Sequence, residues 1–111
     1  MSTEQNKAVV RQLIEQVFNA GDTSVIDEII TADFIEHEEL PPGVPPGREG
    51  LKMLPAMMHA AFPDFRATIA DMVAEEDRLA LRMTWSGTHE GDYMGLPASG
   101  KQFTISVIDI F

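Results

Sequence analysis

The stretch from Phe65 to His89, FRATIADMVAEEDRLALRMTWSGTH, decides the fold. Its first half alternates, Phe65, Ala67, Ile69, Asp71 and Val73 on one face against Arg66, Thr68, Ala70 and Met72, and reaches an acidic turn at Glu75-Glu76-Asp77. Its second half alternates again, with Leu79, Leu81, Met83 and Trp85 opposed to Ala80, Arg82, Thr84 and Ser86. Successive side chains of a strand point to opposite faces, so two such runs across a short polar turn predict an antiparallel hairpin. A glycine-rich connection, GTHEGDYMGLPASG (87–100), leads to a third run, KQFTISVIDIF (101–111), in which Phe103, Ile105, Val107, Asp109 and Phe111 share a face.

Upstream of the hairpin the period is helical. Val9, Val10, Leu13, Ile14, Val17 and Phe18 fall on one helix face, with Ser2 or Thr3 as N-cap and Gly21 as the stop. Asp22, Thr23 and Ser24 offer caps to a shorter helix that carries Val25, Ile26, Ile29 and Ile30 and ends near Ala32. DFIEHEE (33–39) reads as a short strand, and LPPGVPPGREG (40–50) as an ordered turn or lid. Leu51, Leu54, Met57, Met58 and Ala61 predict a third helix over Arg48 to Ala61, with Pro55 inside it. An interior proline costs a helix about 3 kcal/mol and is expected to kink it. Three helices followed by a long-stranded antiparallel sheet predict one α+β domain over 1–111, with the helices on one face of a curved sheet. Such a layer encloses a cone-shaped, mostly apolar cavity.

Composition narrows the function classes. With 44% hydrophobic and 23% charged residues the chain is globular, and eight basic against eighteen acidic residues leave a net charge of −10. That charge repels phosphate backbones and anionic headgroups, so neither nucleic acid nor a membrane is expected as a partner. The absence of cysteine excludes disulfides and thiolate chemistry and suits the cytoplasm. Lys7, Arg11 and Glu15 break the first segment into a periodic face, so it holds no apolar signal core. No phosphate-binding loop or Ser-His-Asp ordering occurs, and the consecutive residues of EHEE (36–39) point to alternate faces and cannot converge on one ion. No metal and no cofactor are expected.

The segment from Phe62 to Phe111 resembles the SnoaL-like polyketide cyclases, or ester cyclases, of the nuclear-transport-factor-2-like (NTF2-like) superfamily. The most specific piece is G-T-H-x-G-x-x-x-G-x-P-x-S-G at Gly87 to Gly100, followed by the apolar strand that ends IDIF, and the likeness extends to the first helix and DFIEHE. The resemblance implies a cone-shaped α+β fold, usually dimeric, with a small-molecule pocket in the cone. It also implies cofactor-free chemistry: a proton is abstracted next to a carbonyl, and an intramolecular aldol reaction closes a ring. Family members continue past IDIF into one more strand that carries an aspartate. No counterpart of that strand lies within these 111 residues, so the domain is expected to lack it. The edge left open would invite a second copy of the chain, which makes a homodimer the expected state.

Candidate residues follow from placement and resemblance together. Asp109 interrupts an apolar face. If that face lines the cavity, desolvation would raise the carboxyl's pKa toward the range useful for proton transfer; otherwise it is a hydrogen-bonded structural acid. His37 falls at the cavity mouth and would exchange a proton with Asp109 or bond a substrate carbonyl, unless it is a rim histidine among Glu36, Glu38 and Glu39. His89 and Tyr93 would touch ligand at the entrance, although turn geometry is the alternative account of their motif, with Gly87, Gly91, Gly95 and Gly100 supplying positive φ. Trp85, Met83, Met57 and Phe62 are the expected lining. Thioethers adapt to irregular apolar ligands, and an indole N–H needs a partner. His59 reads as a helix-surface residue. The ligand would be a small hydrophobic molecule. Competing readings are a non-catalytic ligand-binding or dimerisation domain, and a hydrolase or isomerase on the same scaffold.

Overall fold

The structure, a computed structural model, describes residues 2–34, 43–92 and 97–111. Helix α1 spans Thr3–Gln12 and begins with a capping box: Ser2 Oγ accepts from Gln5 N at 3.1 Å, and Gln5 Oε1 accepts from Ser2 N at 2.9 Å. The helix then widens into a π-helical stretch, Leu13–Asn19, where Ala20 N reaches Glu15 O at 3.1 Å. Leu13, Ile14 and Val17 are all buried there. Gly21 ends the helix with a φ of 76°, as its position predicted.

Helix α2 is a single turn, Ile26–Ile29, shorter than its pattern suggested because Ile30 is already extended. Asp22 does not cap it. Its carboxylate accepts from Ser24 N at 3.0 Å and Ser24 Oγ at 2.6 Å, closing the turn between the helices and holding the carboxyl below its usual range. Helix α3 covers Arg48–Ala61 as expected, running through a fully buried Pro55. Lys52 and Arg48 of α3 reach Asp27 of α2 at 3.0 and 3.6 Å, and Arg48 Nη1 donates to Ile30 O at 3.1 Å. The expected strand over 33–39 lies outside the described residues from position 35 onward.

The sheet has three antiparallel strands, β1 (Arg66–Glu75), β2 (Arg78–Thr88) and β3 (Gln102–Ile110), in the order β1-β2-β3. Ile69 pairs with Met83 and Asp71 with Arg82, so Ala70 is an extra residue, a β-bulge. The bulge corrects the alternation expected for this strand. Beyond it Met72 and Ala74 face inward and pack on the core, while Asp71 and Val73 face outward. A strict two-residue period cannot register an inserted residue. The hairpin turns through Glu76-Asp77, with Glu76 at a φ of 52°, and Asn6 Nδ2 donates to Glu76 O at 3.4 Å.

One core cluster joins Val10 and Ile14 of α1 and its extension to Met58, Ala61, Phe62, Phe65, Ala67, Leu79, Leu81 and Met83. A second joins Leu13, Val17, Ile26 and Leu51. The helical layer lies chiefly over β1, and the inner side of β3 is less covered, with Ile105 46% exposed. Among the described residues no polar or charged residue is fully buried.

Two polar contacts fix the layers. Asn19 Nδ2 donates to Ala67 O at 2.8 Å, and Asn19 Oδ1 accepts from Ala67 N at 2.7 Å, so one carboxamide pairs with β1 as a neighbouring strand would. Asp64 accepts from Thr88 N at 2.7 Å and from Thr88 Oγ1 at 2.9 Å, which depresses its pKa, the backbone bond contributing most. His59, expected at the surface, is half-buried, with Nε2 2.7 Å from Phe18 O and its ring edge-on to Phe65 at 5.8 Å.

Replacing Asn19 with Ala removes a donor and an acceptor together and should destabilise the protein by about 1–3 kcal/mol in urea denaturation. Asn19→Asp should be at least as damaging, because a carboxylate cannot donate to Ala67 O. Asp64 has a lowered folded pKa, so its contribution is complete above the unfolded value near pH 4 and disappears as pH falls through the folded value. The stability difference between wild type and Asp64→Ala should therefore be constant from pH 6 to about pH 5 and shrink below about pH 4. A difference independent of pH down to about pH 2 would contradict this assignment.

Candidate functional site

Helix α3 ends at a tight turn in which Phe62 N donates to Met58 O at 2.7 Å and Phe65 N to Phe62 O at 2.8 Å. This turn delivers two aromatic rings to the inner face of β2. Phe65 meets Trp85 edge-on at 5.6 Å, and Phe62 meets Phe103 at 4.9 Å and the His89 ring at 5.5 Å. Gly87 lies between these groups in a tight space, since a β-carbon there would sit 3.1 Å from both Phe62 Cβ and the Phe103 ring and one of them would have to give way. Gly91 is more strictly constrained, as a β-carbon would overlap the Ala60 carbonyl oxygen. Of the motif's described glycines only Gly100, at a φ of 70°, takes the left-handed conformation expected of them. Gly87 and Gly91 are there for close approach, which sequence alone does not separate from turn formation.

Trp85 is half-buried, and its Nε1 is fully buried without a hydrogen-bond partner among the described residues. His89 stands four residues further along the same strand face. Its backbone pairs with the residues just before β3, N to Lys101 O at 2.9 Å and O from Gly100 N at 2.8 Å. Its Nδ1 lies 3.2 Å from Ser99 Oγ, and its Nε2 is buried without a partner among the described residues. Met83 is fully buried in the core beside these rings, and Met57 is half-buried outside both core clusters. His37 and Tyr93 lie outside the described residues.

Asp109 is half-buried on the inner face of β3, paired in register with Leu81, whereas Phe103 pairs with Gly87. Six residues of extended chain separate Phe103 from Asp109, about 20 Å along the strand. The structure thus gathers Phe62, Trp85, Met83 and His89 at one end of the sheet and sets Asp109 toward the other. Near that second end an apolar cleft of about 180 Å³ opens between α1 and the last strand pair, lined by Val9, Val10, Leu13, Leu79 and Phe111 among others. Asp109 is not among its lining residues, and the sequence reading did not anticipate the cleft. Its one legible sign was Phe111, an aromatic residue on the inward face of a strand. Among the described residues no cluster of three or more His, Asp or Glu could hold a metal, and no helix is long and apolar enough to cross a membrane.

Comparisons with known proteins agree with this architecture. TsrD from Streptomyces laurentii superimposes with a TM-score of 0.77 at 34% identity, over 94% of this chain and 78% of that one. IdmH from Streptomyces antibioticus, a candidate polyketide cyclase, gives 0.75 at 33% identity, over 96% and 81%. A candidate SnoaL-like polyketide cyclase from Jannaschia sp. CCS1 gives 0.82 at 24% identity, over 98% and 76%, a likeness of fold. No protein of curated function matches significantly. The sequence profile of the SnoaL-like polyketide cyclases matches residues 8–111, and with the α+β architecture and the intact GTH motif beside it, the chain belongs to the SnoaL-like polyketide cyclase family.

Proposed function

We propose that this protein binds a small, largely apolar molecule bearing carbonyl oxygens and performs cofactor-free acid/base chemistry on it. The observation that carries this reading is the pair of buried nitrogens, Trp85 Nε1 and His89 Nε2, which lack partners among the described residues and lie in aromatic surroundings. A buried polar group left unpaired costs about 1–3 kcal/mol, and a ligand oxygen would offset that cost. Phe62, Met83, Met57 and Tyr93 complete the binding surface in this proposal.

The chemistry is removal of a proton next to a carbonyl and intramolecular aldol closure. A base takes the proton and the C–H electron pair becomes an enolate. The enolate carbon then bonds to a second carbonyl carbon of the same molecule, and the resulting alkoxide recovers a proton. Asp109 and His37 are the groups we assign to these transfers, worth roughly 10²–10⁴-fold in rate. Asp109 is supported by its half-buried place on the less covered part of the inner face, His37 by its sequence position just before the proline-rich segment 40–50.

A second reading, ligand binding without turnover, is favoured by one observation. Asp109 and His89 stand about 26 Å apart along the sheet, since His89 bonds to Lys101, eight residues before Asp109. A base at one end serves a carbonyl held at the other only if the ligand spans that distance.

Binding of polyketide-like aromatic esters, screened by native mass spectrometry, tests the proposal. Trp85→Phe should weaken the bound species by roughly 3- to 10-fold through loss of one hydrogen bond. Asp109→Asn should abolish turnover and leave binding intact. A variant destabilised by about 1–3 kcal/mol with unchanged turnover makes Asp109 a structural acid instead.

We also propose a homodimer in the cytoplasm. On the outer face of the sheet Val73, Ala80 and Ile110 form one lateral row, next to Ile108, and Val73, Ile108 and Ile110 are 63%, 69% and 78% exposed. An uncovered apolar row of this kind is what a second copy would bury. Light scattering should give twice the chain mass, and Ile108→Lys with Ile110→Lys should return the monomer. A monomeric wild type at high concentration overturns the dimer.

A further inference from the structure

The orphaned nitrogen of His89 has a neighbour that determines what it can recognise. The backbone turn at Gly100 brings Ser99 and Lys101 to the same side of His89, and Lys101 N donates to Ser99 Oγ at 3.3 Å. The hydroxyl has a single hydrogen, and the Lys101 amide already occupies one of its lone pairs. Among the described residues the hydroxyl's other partner is His89 Nδ1, at 3.2 Å, although Ser99 itself is exposed. The ring has little freedom to leave. The His89 backbone is paired on both sides with Gly100 and Lys101, Asp64 holds the preceding Thr88, and Phe62 packs on the imidazole.

We propose that Ser99 is a positioning residue: its hydroxyl donates to His89 Nδ1, holds the imidazole as the Nε2–H tautomer, and makes the buried Nε2 a hydrogen-bond donor. The two nitrogens of an imidazole are distinct, and the bond made by one fixes the role of the other. Trp85 Nε1 is a donor by its chemistry. Trp85 on β2 and His89 just past its end then present two buried unpaired donors, and no buried side-chain oxygen or nitrogen acceptor is left unpaired among the described residues. Such a surface selects a ligand with acceptor oxygens, ketone, ester or enolate, over one that offers only cationic N–H donors or no polar atom, which would leave both N–H groups unpaired. This ligand preference rests on the binding site proposed above, whereas the tautomer does not.

Protein labelled with ¹⁵N-histidine, at about pH 8.5 where an ordinary imidazole is neutral, reports the tautomer directly through long-range ¹H–¹⁵N correlations. His89→Gln identifies the signal by its loss. Wild type should show the hydrogen on Nε2, Ser99→Ala should shift the signal toward a mixture of tautomers, and Ser99→Thr, which keeps the hydroxyl, should restore the wild-type pattern. A hydrogen on Nδ1 in wild type, or an unchanged spectrum in Ser99→Ala, overturns the proposal. In parallel, 9-fluorenone and fluorene are titrated as probes of nearly equal shape, of which only the ketone has an acceptor. Fluorenone should bind tighter than fluorene, and Ser99→Ala should weaken fluorenone by roughly 3- to 10-fold while leaving fluorene unchanged. Equal loss for both probes overturns the recognition role. If neither probe binds while the Nε2–H tautomer is present, the binding-site reading fails and the tautomer assignment stands.

Discussion

Asn19 meets Ala67 through both atoms of its carboxamide, and this contact determines where the helical layer sits on the sheet. Hydrophobic packing is non-directional, so Val10 and Ile14 could slide against Leu81 and Met83 with little penalty. A bidentate polar pair cannot slide, because displacement along β1 would break both bonds at once. The π-helical stretch that ends at Asn19 is part of the same device: each residue of a wider turn advances less around the axis, which re-aims the final side chains. His59 adds a second tie by meeting Phe18 O, one of the carbonyls that a helix end leaves without an internal partner.

Charge is arranged as composition suggested, though its local roles were hidden. The ion pairs of Asp27 with Lys52 and Arg48 join α2 to α3 at the surface, and Lys52 draws the Asp27 carboxyl below its normal range. None of this reaches the inner face of the sheet. A core with no fully buried polar residue makes two unpaired nitrogens stand out, because elsewhere among the described residues polar groups either reach solvent or are bonded.

Much of the architecture could be read from periodicity. The bounds of α3, the turn at Glu76-Asp77 and the inward face of β2 follow from hydrophobic spacing and local turn chemistry. What periodicity missed were departures from period: the π-helical stretch, the bulge at Ala70, and the early end of α2, where Ile30 continues an apolar pattern in an extended backbone. The candidate site was legible by residue type but not by distance. Trp85, His89 and Phe62 were identifiable as a group, and their meeting depends on the turn after α3. Asp109 was read onto the face it shares with Phe103, Ile105 and Val107, which the structure turns inward, but its separation from His89 depends on strand register, which a single strand's pattern does not contain. The role proposed for Ser99 was invisible, since it rests on a contact between residues ten positions apart.

The bulge at Ala70 also sets how the chain tolerates changes in length. Before it, the odd positions of β1 carry the buried side chains, and after it the even ones do, so the strand is written in two reading frames joined at one residue. Loss of Ala70 itself would remove the bulge and leave the ladder regular, with Ile69 opposite Met83, Asp71 still outward opposite Arg82 and Met72 still inward, whereas loss of any other β1 residue would turn the positions on one side of it over. Apart from that one position, an insertion or deletion within β1 acts as a frameshift of burial, whereas the turn a few residues beyond can change length at much smaller risk.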